Sequence, residues 1–301
     1  MSWRGFRPFA RRRPAGDPAW SASTTYGSVF APKPADEPRH AAEHHREVLR
    51  RARELPNDTP ADDALIEAIA AEIAARRAAT ATLEGPTAPR ATQLRIRSEG
   101  VPDWWRDAGN LLLCAPSVQE VRLVVAMVPG MIGNQIVVVG DGVEMPTLAF
   151  SGAGGLVVLG DNVRASLTSF SVCPDCTILI GENSTIGAFG FCDAPNGGVL
   201  IVGDNNVWDG AINFRTDDSH AIRDQESDRR LNVYGGRIVI GRQVWLGEGV
   251  RMMGDCYIGE GSAIERDAFV KRRRIEPHSL AGGRPAETIR TGIIWGDGDA
   301  D

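Results

Sequence analysis

Within eight consecutive residues the chain places Asn213, Arg215, Asp217, Asp218, Ser219 and His220. A neutral imidazole, with an ordinary pKa of about 6.5, accepts protons near pH 7 and suits deprotonation of an alcohol or amine as it attacks a carbonyl. His220 is the candidate base, and a solvated loop histidine is the alternative reading. Asp217 and Asp218 are near enough in sequence to orient the ring and stabilise its cationic form, as triad carboxylates do, although either also suits a turn. Asn213 and Arg215 are candidate substrate contacts. An amide at position 213 can donate to a substrate or a developing oxyanion, or satisfy the backbone at a strand end. Downstream, Lys271, Arg272, Arg273, Arg274 and Arg284 offer cations of the kind that bind phosphate by charge-assisted hydrogen bonds. A solvated basic turn is the alternative there. Cys173-Pro-Asp-Cys176 has redox or zinc spacing but no second pair, and small core-facing residues are the better reading.

These groups need a rigid support, and the residues from 238 to 272 supply its pattern. Ile240, Leu246, Met252, Ile258, Ile264 and Val270 recur every six residues, and Val244, Val250, Cys256, Ser262 and Ala268 follow as smaller residues in the fourth position after each. On an α-helix a six-residue step turns about 240°, so no single face would be buried. On strands all eleven positions share one parity and point inward. Gly241, Gly247, Gly254, Gly259 and Gly261 suit corners with positive φ or close backbone approach. The pattern predicts a parallel β-helix of short strands, bent every six residues. Trp245 has the opposite parity and points outward.

An aliphatic-Gly pair marks successive coils at Val139-Gly140, Leu159-Gly160, Ile180-Gly181, Val202-Gly203, Ile240-Gly241 and Ile258-Gly259. Between 202 and 240 the chain carries about 20 residues beyond an 18-residue coil. One long loop, including His220, must leave the scaffold there, and such insertions are commonly functional or disordered.

The remaining organisation divides as follows. Residues 1–35 read as a flexible arm and 36–92 as a helical segment and linker. Residues 93–135 form a transition, 136–272 the β-helix with its loop at 204–236, and 273–301 a closing motif and tail. In the helical segment Thr59 is the expected N-cap, with Pro60 first and Asp62 and Asp63 in the first turn. Leu65, Ile69 and Ile73 then form an apolar stripe that needs a partner surface. The chain has 301 residues and a formal net charge of −6, which gives no global attraction to nucleic acid or an anionic membrane. Arg4, Arg7 and Arg11 to Arg13 are followed by no apolar segment, so neither a signal peptide nor a membrane span is expected. Five cysteines, an odd number, argue against a disulfide framework. A cytoplasmic protein with reduced thiols is expected.

The segment from 238 to 290 resembles the final coils and closing motif of the hexapeptide-repeat acyltransferases. Its Ile240-Gly241-Arg242-Gln243-Val244-Trp245-Leu246-Gly247, Ile258-Gly259-Glu260-Gly261-Ser262, Val270-Lys271 and Ala281-Gly282-Gly283-Arg284-Pro285-Ala286 elements follow that family's order and spacing. Asp218-Ser219-His220 is similar to the active-site triplet of its polysaccharide and sugar O-acetyltransferase branch. The resemblance covers about 200 to 290, thins over 135 to 200 and does not extend to the first 130 residues. It implies a left-handed parallel β-helix, a homotrimer, and acetyl-CoA as acyl donor in a cleft between coils. It further implies a sugar or polysaccharide acceptor, with an amino sugar or amino acid as the alternative and a non-catalytic assembly scaffold as the competing class. The positions implied at the donor cleft are Trp245, Gly247, Ala263, Lys271 and Arg284. No metal is implied. A three-histidine zinc site is rejected because His220 and His278 are the two histidines after residue 45.

Overall fold

The computed structural model describes residues 38–78, 94–126, 131–232 and 234–296. The expected arm at 1–35 and the linker that closes the 36–92 segment lie outside the described residues. Strands stack into three sheets of nine, seven and six strands, which form the faces of a triangular prism. Each regular coil visits the nine-strand, six-strand and seven-strand faces in turn, as at Arg237–Ile240, Trp245–Leu246 and Arg251–Met253. The expected repeat is directly visible in the register. Val139, Leu159, Ile180, Val202, Ile240, Ile258 and Ile275 are aligned across successive parallel strands of the nine-strand face. All eleven side chains of the six-residue series between Ile240 and Val270 are buried.

The corner after the nine-strand face explains its glycines. A Cβ on Gly203 would sit 2.5 Å from the Arg242 backbone nitrogen, and one on Gly259 would sit 2.3 Å from that of Pro277. Neighbouring coils therefore touch backbone to backbone at this edge.

Parallel pairing starts earlier than residue 136, because Leu111–Cys114 already pairs with Ile136–Val139. It also continues past 272, through Arg274–Ile275 and Ser279–Gly283. The final strand, Ala286–Thr291, turns back antiparallel and closes the stack.

Strand sequence follows face. On the seven-strand face, Thr147–Phe150 and Ser169–Val172 alternate half-buried and buried residues, as strands with one wet side do. On the nine-strand face, Ile136–Val139, Leu156–Leu159 and Val199–Val202 are buried at every position. Their outer side is covered by an antiparallel helical hairpin, α1 (Pro38–Ala52) and α2 (Asp63–Ala78). Leu65, Ile69 and Ile73 join Val48, Leu49, Ile136, Val138, Leu156, Val158 and Leu179 in one apolar cluster. The stripe thus finds its partner on the flank of the prism. A buried polar group also joins hairpin to coils. His45 meets Glu72 Oε1 at 3.1 Å and the Asn134 carbonyl at 2.6 Å, while Arg76 donates to Glu72 and to the Asp175 carbonyl.

The expected cap is displaced by one turn. Asp62 Oδ1 accepts from the Leu65 amide at 2.8 Å, so Asp62 caps α2. Thr59 and Pro60 instead run extended beside Arg95 and Ile96. The strand pairing claims their backbone and leaves Asp62 to begin the helix.

Candidate active site

The insertion is shorter at its start than 204–236. Val207–Trp208 and Asn213–Arg215 are regular coil strands, paired on both sides. Residues 216–236 then leave the seven-strand face and return at Arg237 on the nine-strand face. Phe214 faces the core against Trp208, with ring centroids 5.1 Å apart and a 63° interplanar angle. This packing fixes the root from which the loop departs.

Asp217 is the loop's internal clasp. It is 1% exposed, and its carboxylate accepts from the Ser219 amide at 2.7 Å and the Gly235 amide at 2.8 Å. Asn196, from the coil below, donates to it at 3.1 Å, and Arg230 approaches at 3.4 Å. Both ends of the loop are therefore tied to one buried anion. The clasp holds Ser219 at φ 63°, a left-handed conformation that aims the next residue away from the coil.

That next residue is His220, which is exposed. Its Nδ1 lies 3.3 Å from the backbone carbonyl of Asp218. A proton on Nδ1 donated to that carbonyl leaves the Nε2 lone pair open to solvent. Neither Asp217 nor Asp218 brings its carboxylate to the imidazole, so the orienting group is a backbone carbonyl. The Asp218 carboxylate accepts instead from Asn232 at 3.0 Å and lies 4.0 Å from Arg272.

The two substrate candidates stand two residues apart on one strand and differ in their partners. Arg215 donates to Asp193 at 3.0 Å and to the Ser219 hydroxyl at 3.4 Å, so it braces the loop. Asn213 is exposed on the same strand, beside the register positions of Phe191 and Arg251. Its backbone amide donates to the Val250 carbonyl at 3.0 Å, while its side-chain amide has no hydrogen-bond partner among the described residues and is free to donate.

Lys271 is exposed at the end of Phe269–Lys271, two strands above Arg215 in the same register column. It therefore belongs to the same edge of the prism as the loop. The other donor-cleft candidates do not. Trp245, half buried, and Ala263, buried, are aligned on the outer side of the six-strand face. In a triangular coil that face lies opposite the edge from which His220 emerges. Gly247 is required by packing, since a Cβ there would meet the Arg266 backbone nitrogen at 2.6 Å. Arg284 donates to the Asp267 carbonyl at 2.7 Å and to its carboxylate at 3.1 Å, which clamps the closing turn to the last coil.

Sequence reasoning missed Asn232. It lies 12 residues beyond His220 in an insertion without repeat or periodicity, and its partners become neighbours through the fold of the loop alone.

The five cysteines are buried and free. Burial pushes their thiols up, Cys256 to about 11 and Cys114 to about 12. Cys173 is raised first by burial, and its Sγ lies 3.4 Å from Asp193. Such thiols stay protonated at neutral pH and make poor nucleophiles. No group of three or more metal-ligating side chains occurs among the described residues. No described helix is long and apolar enough to cross a membrane.

No family model matches the chain. Among curated proteins it is similar to the chloramphenicol acetyltransferase of Agrobacterium fabrum, with 31% identity over 106 residues, covering 33% of this chain and 48% of that protein. It is 40% identical over 55 residues to a chloramphenicol acetyltransferase of Escherichia coli, covering 18% of this chain and 26% of that one. The chain thus spans about half the length of the first of these relatives and a quarter of the second. Among solved structures it is similar to the polySia-specific acetyltransferase NeuO, with a TM-score of 0.50 and 20% identity over 64% of this chain and 80% of the other. The chain is a hexapeptide-repeat protein with the left-handed β-helix fold of these acetyltransferases.

Proposed function

We propose that the protein is an acetyl-CoA-dependent O-acetyltransferase acting on a sugar or polysaccharide precursor, with His220 as general base. One observation carries the reading: an exposed imidazole is held by a clasped insertion, with Nδ1 on a backbone carbonyl and Nε2 without a partner among the described residues. In that tautomer Nε2 takes the proton of an acceptor hydroxyl as the oxygen attacks the thioester carbon. The tetrahedral intermediate collapses, and the imidazolium returns the proton to the departing CoA thiolate. The free side-chain amide of Asn213 is the donor offered to the developing oxyanion. Transfer is direct, since the buried, protonated cysteines are unsuited to carrying an acyl group. The net charge of −6 leaves recognition of the donor's phosphates to local cations, and Lys271 is an exposed one on the His220 edge.

The reading extends to assembly. Trp245 and Ala263 lie across the prism from His220, so a donor cleft that uses them together with this imidazole is built between two copies. A homotrimer, in a reducing cytoplasmic setting that suits free cysteines, is the assembly proposed.

The test is an acetyl-CoA consumption screen over sugars, nucleotide sugars, amino sugars, amino acids and chloramphenicol, with product masses read out. The parent protein is expected to esterify a hydroxyl. His220→Ala is expected to stay folded and lose on the order of 10²- to 10⁴-fold in turnover. Full turnover by the variant removes His220 as base, and an amide product moves the acceptor to an amine. No turnover with any acceptor would favour the non-catalytic scaffold.

A further inference from the structure

The loop contains a second buried side chain that ties its backbone together beside His220. Asn232 is 7% exposed, and its amide bonds on both sides. Its Nδ2 donates to the backbone carbonyl of His220 at 2.7 Å and to the Asp218 carboxylate at 3.0 Å, and its Oδ1 accepts from the Ile222 amide at 2.9 Å. The residues before, at and after the histidine turn are thereby fixed by one planar group. Its own carbonyl accepts from Arg230 Nε at 3.1 Å, and Arg230 reaches Asp217 at 3.4 Å, which links Asn232 to the clasp.

We propose that Asn232 is the positioning residue of His220, holding the backbone of the histidine turn so that Nδ1 stays on the Asp218 carbonyl and Nε2 faces the acceptor. The argument rests on the reading of His220 as base. Three features support it. The imidazole has no side-chain partner among the described residues to orient it, so its direction depends on where residues 218 to 220 lie. The Asp218 carboxylate is two residues from the imidazole, and the amide hydrogen directs it toward the loop's return segment and away from Nδ1. Finally, the chemistry requires an amide. A carboxylate at 232 would keep the Ile222 contact but offer no hydrogen to either oxygen, and a hydroxyl would be too short to span them.

The test uses the full chain with Asn232→Ala, Asn232→Asp and His220→Ala, measured with whichever acceptor the parent protein esterifies. Asn232→Ala is expected to lower kcat by about 10- to 100-fold, the range seen when a group supporting a functional side chain is removed, with KM for acetyl-CoA within about threefold of the parent's. Asn232→Asp is expected to be impaired most at neutral pH, where its carboxylate repels Asp218. Its kcat relative to the parent should rise as pH falls through the carboxylate range, because a protonated carboxyl donates again. A merely structural role predicts a flat ratio. The inference is overturned if His220→Ala is inactive while Asn232→Ala keeps kcat within twofold, or if the Asn232→Asp ratio is independent of pH while the thermal melt matches the parent's. Turnover retained by His220→Ala overturns the underlying reading, and this inference with it, as a separate result.

Discussion

Asp217 combines two properties that seldom meet: it belongs to a 21-residue insertion outside the repeat, residues 216–236, and it is almost wholly buried. A buried carboxylate is tolerable only when hydrogen bonds replace water, and two backbone amides, Asn196 and Arg230 do so here. Asp217→Ala would strand those donors in a space that water fills poorly. The expected cost is about 3 kcal/mol, seen as a lower urea midpoint at unchanged slope, with activity lost beyond the stability effect because Ser219 is no longer held at positive φ. Asp217→Asn should fall between the two, since one acceptor oxygen becomes a donor facing other donors. At this scale the sequence was a partial guide. His220 and Asp217 were legible as a pair of types at short spacing. Their actual relation, a carboxylate that shapes the backbone and a carbonyl that meets the ring, depends on φ values and on a loop closure that residue spacing does not encode. Arg284 shows the same limit, since its ion pair with Asp267 is a contact between two corners 17 residues apart.

The helical hairpin makes the corresponding point for elements. Its stripe announced that α2 buries one face, but a stripe does not name its partner, and capping the coil's end was as consistent with it as lying on the flank. The partner was written elsewhere, in the uninterrupted apolar strands such as Ile136–Val139 and Leu156–Leu159, which have no polar side to give to solvent. Six-residue periodicity, by contrast, was decisive because a repeat states its own geometry many times over. The hairpin's attachment is testable separately from the coil. Ile69 is 2% exposed at the centre of the shared cluster, and Ile69→Ala is expected to cost about 2 to 4 kcal/mol. Because the coils carry their own interior core, the loss should appear as an early local transition, with faster amide exchange in residues 43–78 and on the nine-strand face, before the main melt. A single sharp transition shifted as a whole would show that hairpin and coils unfold as one unit.

For the molecule as a whole, the three edges of the prism are not equivalent. Among the described residues the hairpin packs on the nine-strand face, and the six- and seven-strand faces carry no such cover. The edge between those two carries Leu167, 64% exposed, and in the next coil Phe189, 82% exposed and held at φ 62°, with Phe191 beside it. A bulky aromatic residue that is both exposed and left-handed costs stability twice in an isolated chain, through strain and through apolar contact with water. Burial against further copies of this chain would offset the second cost. A ring in which the six-strand face of one copy meets the seven-strand face of the next does this with the edge pointed at the symmetry axis. The same arrangement brings Trp245 and Ala263 toward a neighbour's His220, which no single copy can do. Phe189→Asp is therefore expected to convert the assembly to monomers by light scattering. Acetyl transfer should fall with it, although every residue of the His220 loop is intact. Mixing decides whether the site is truly shared. His220→Ala and Trp245→Ala subunits, each inactive alone, should recover about a quarter to a third of parental turnover when assembled together, because some interfaces then pair an intact histidine with an intact tryptophan. Recovery absent from a confirmed mixed trimer would confine each site to one chain, and a fully active monomer would remove the shared site altogether.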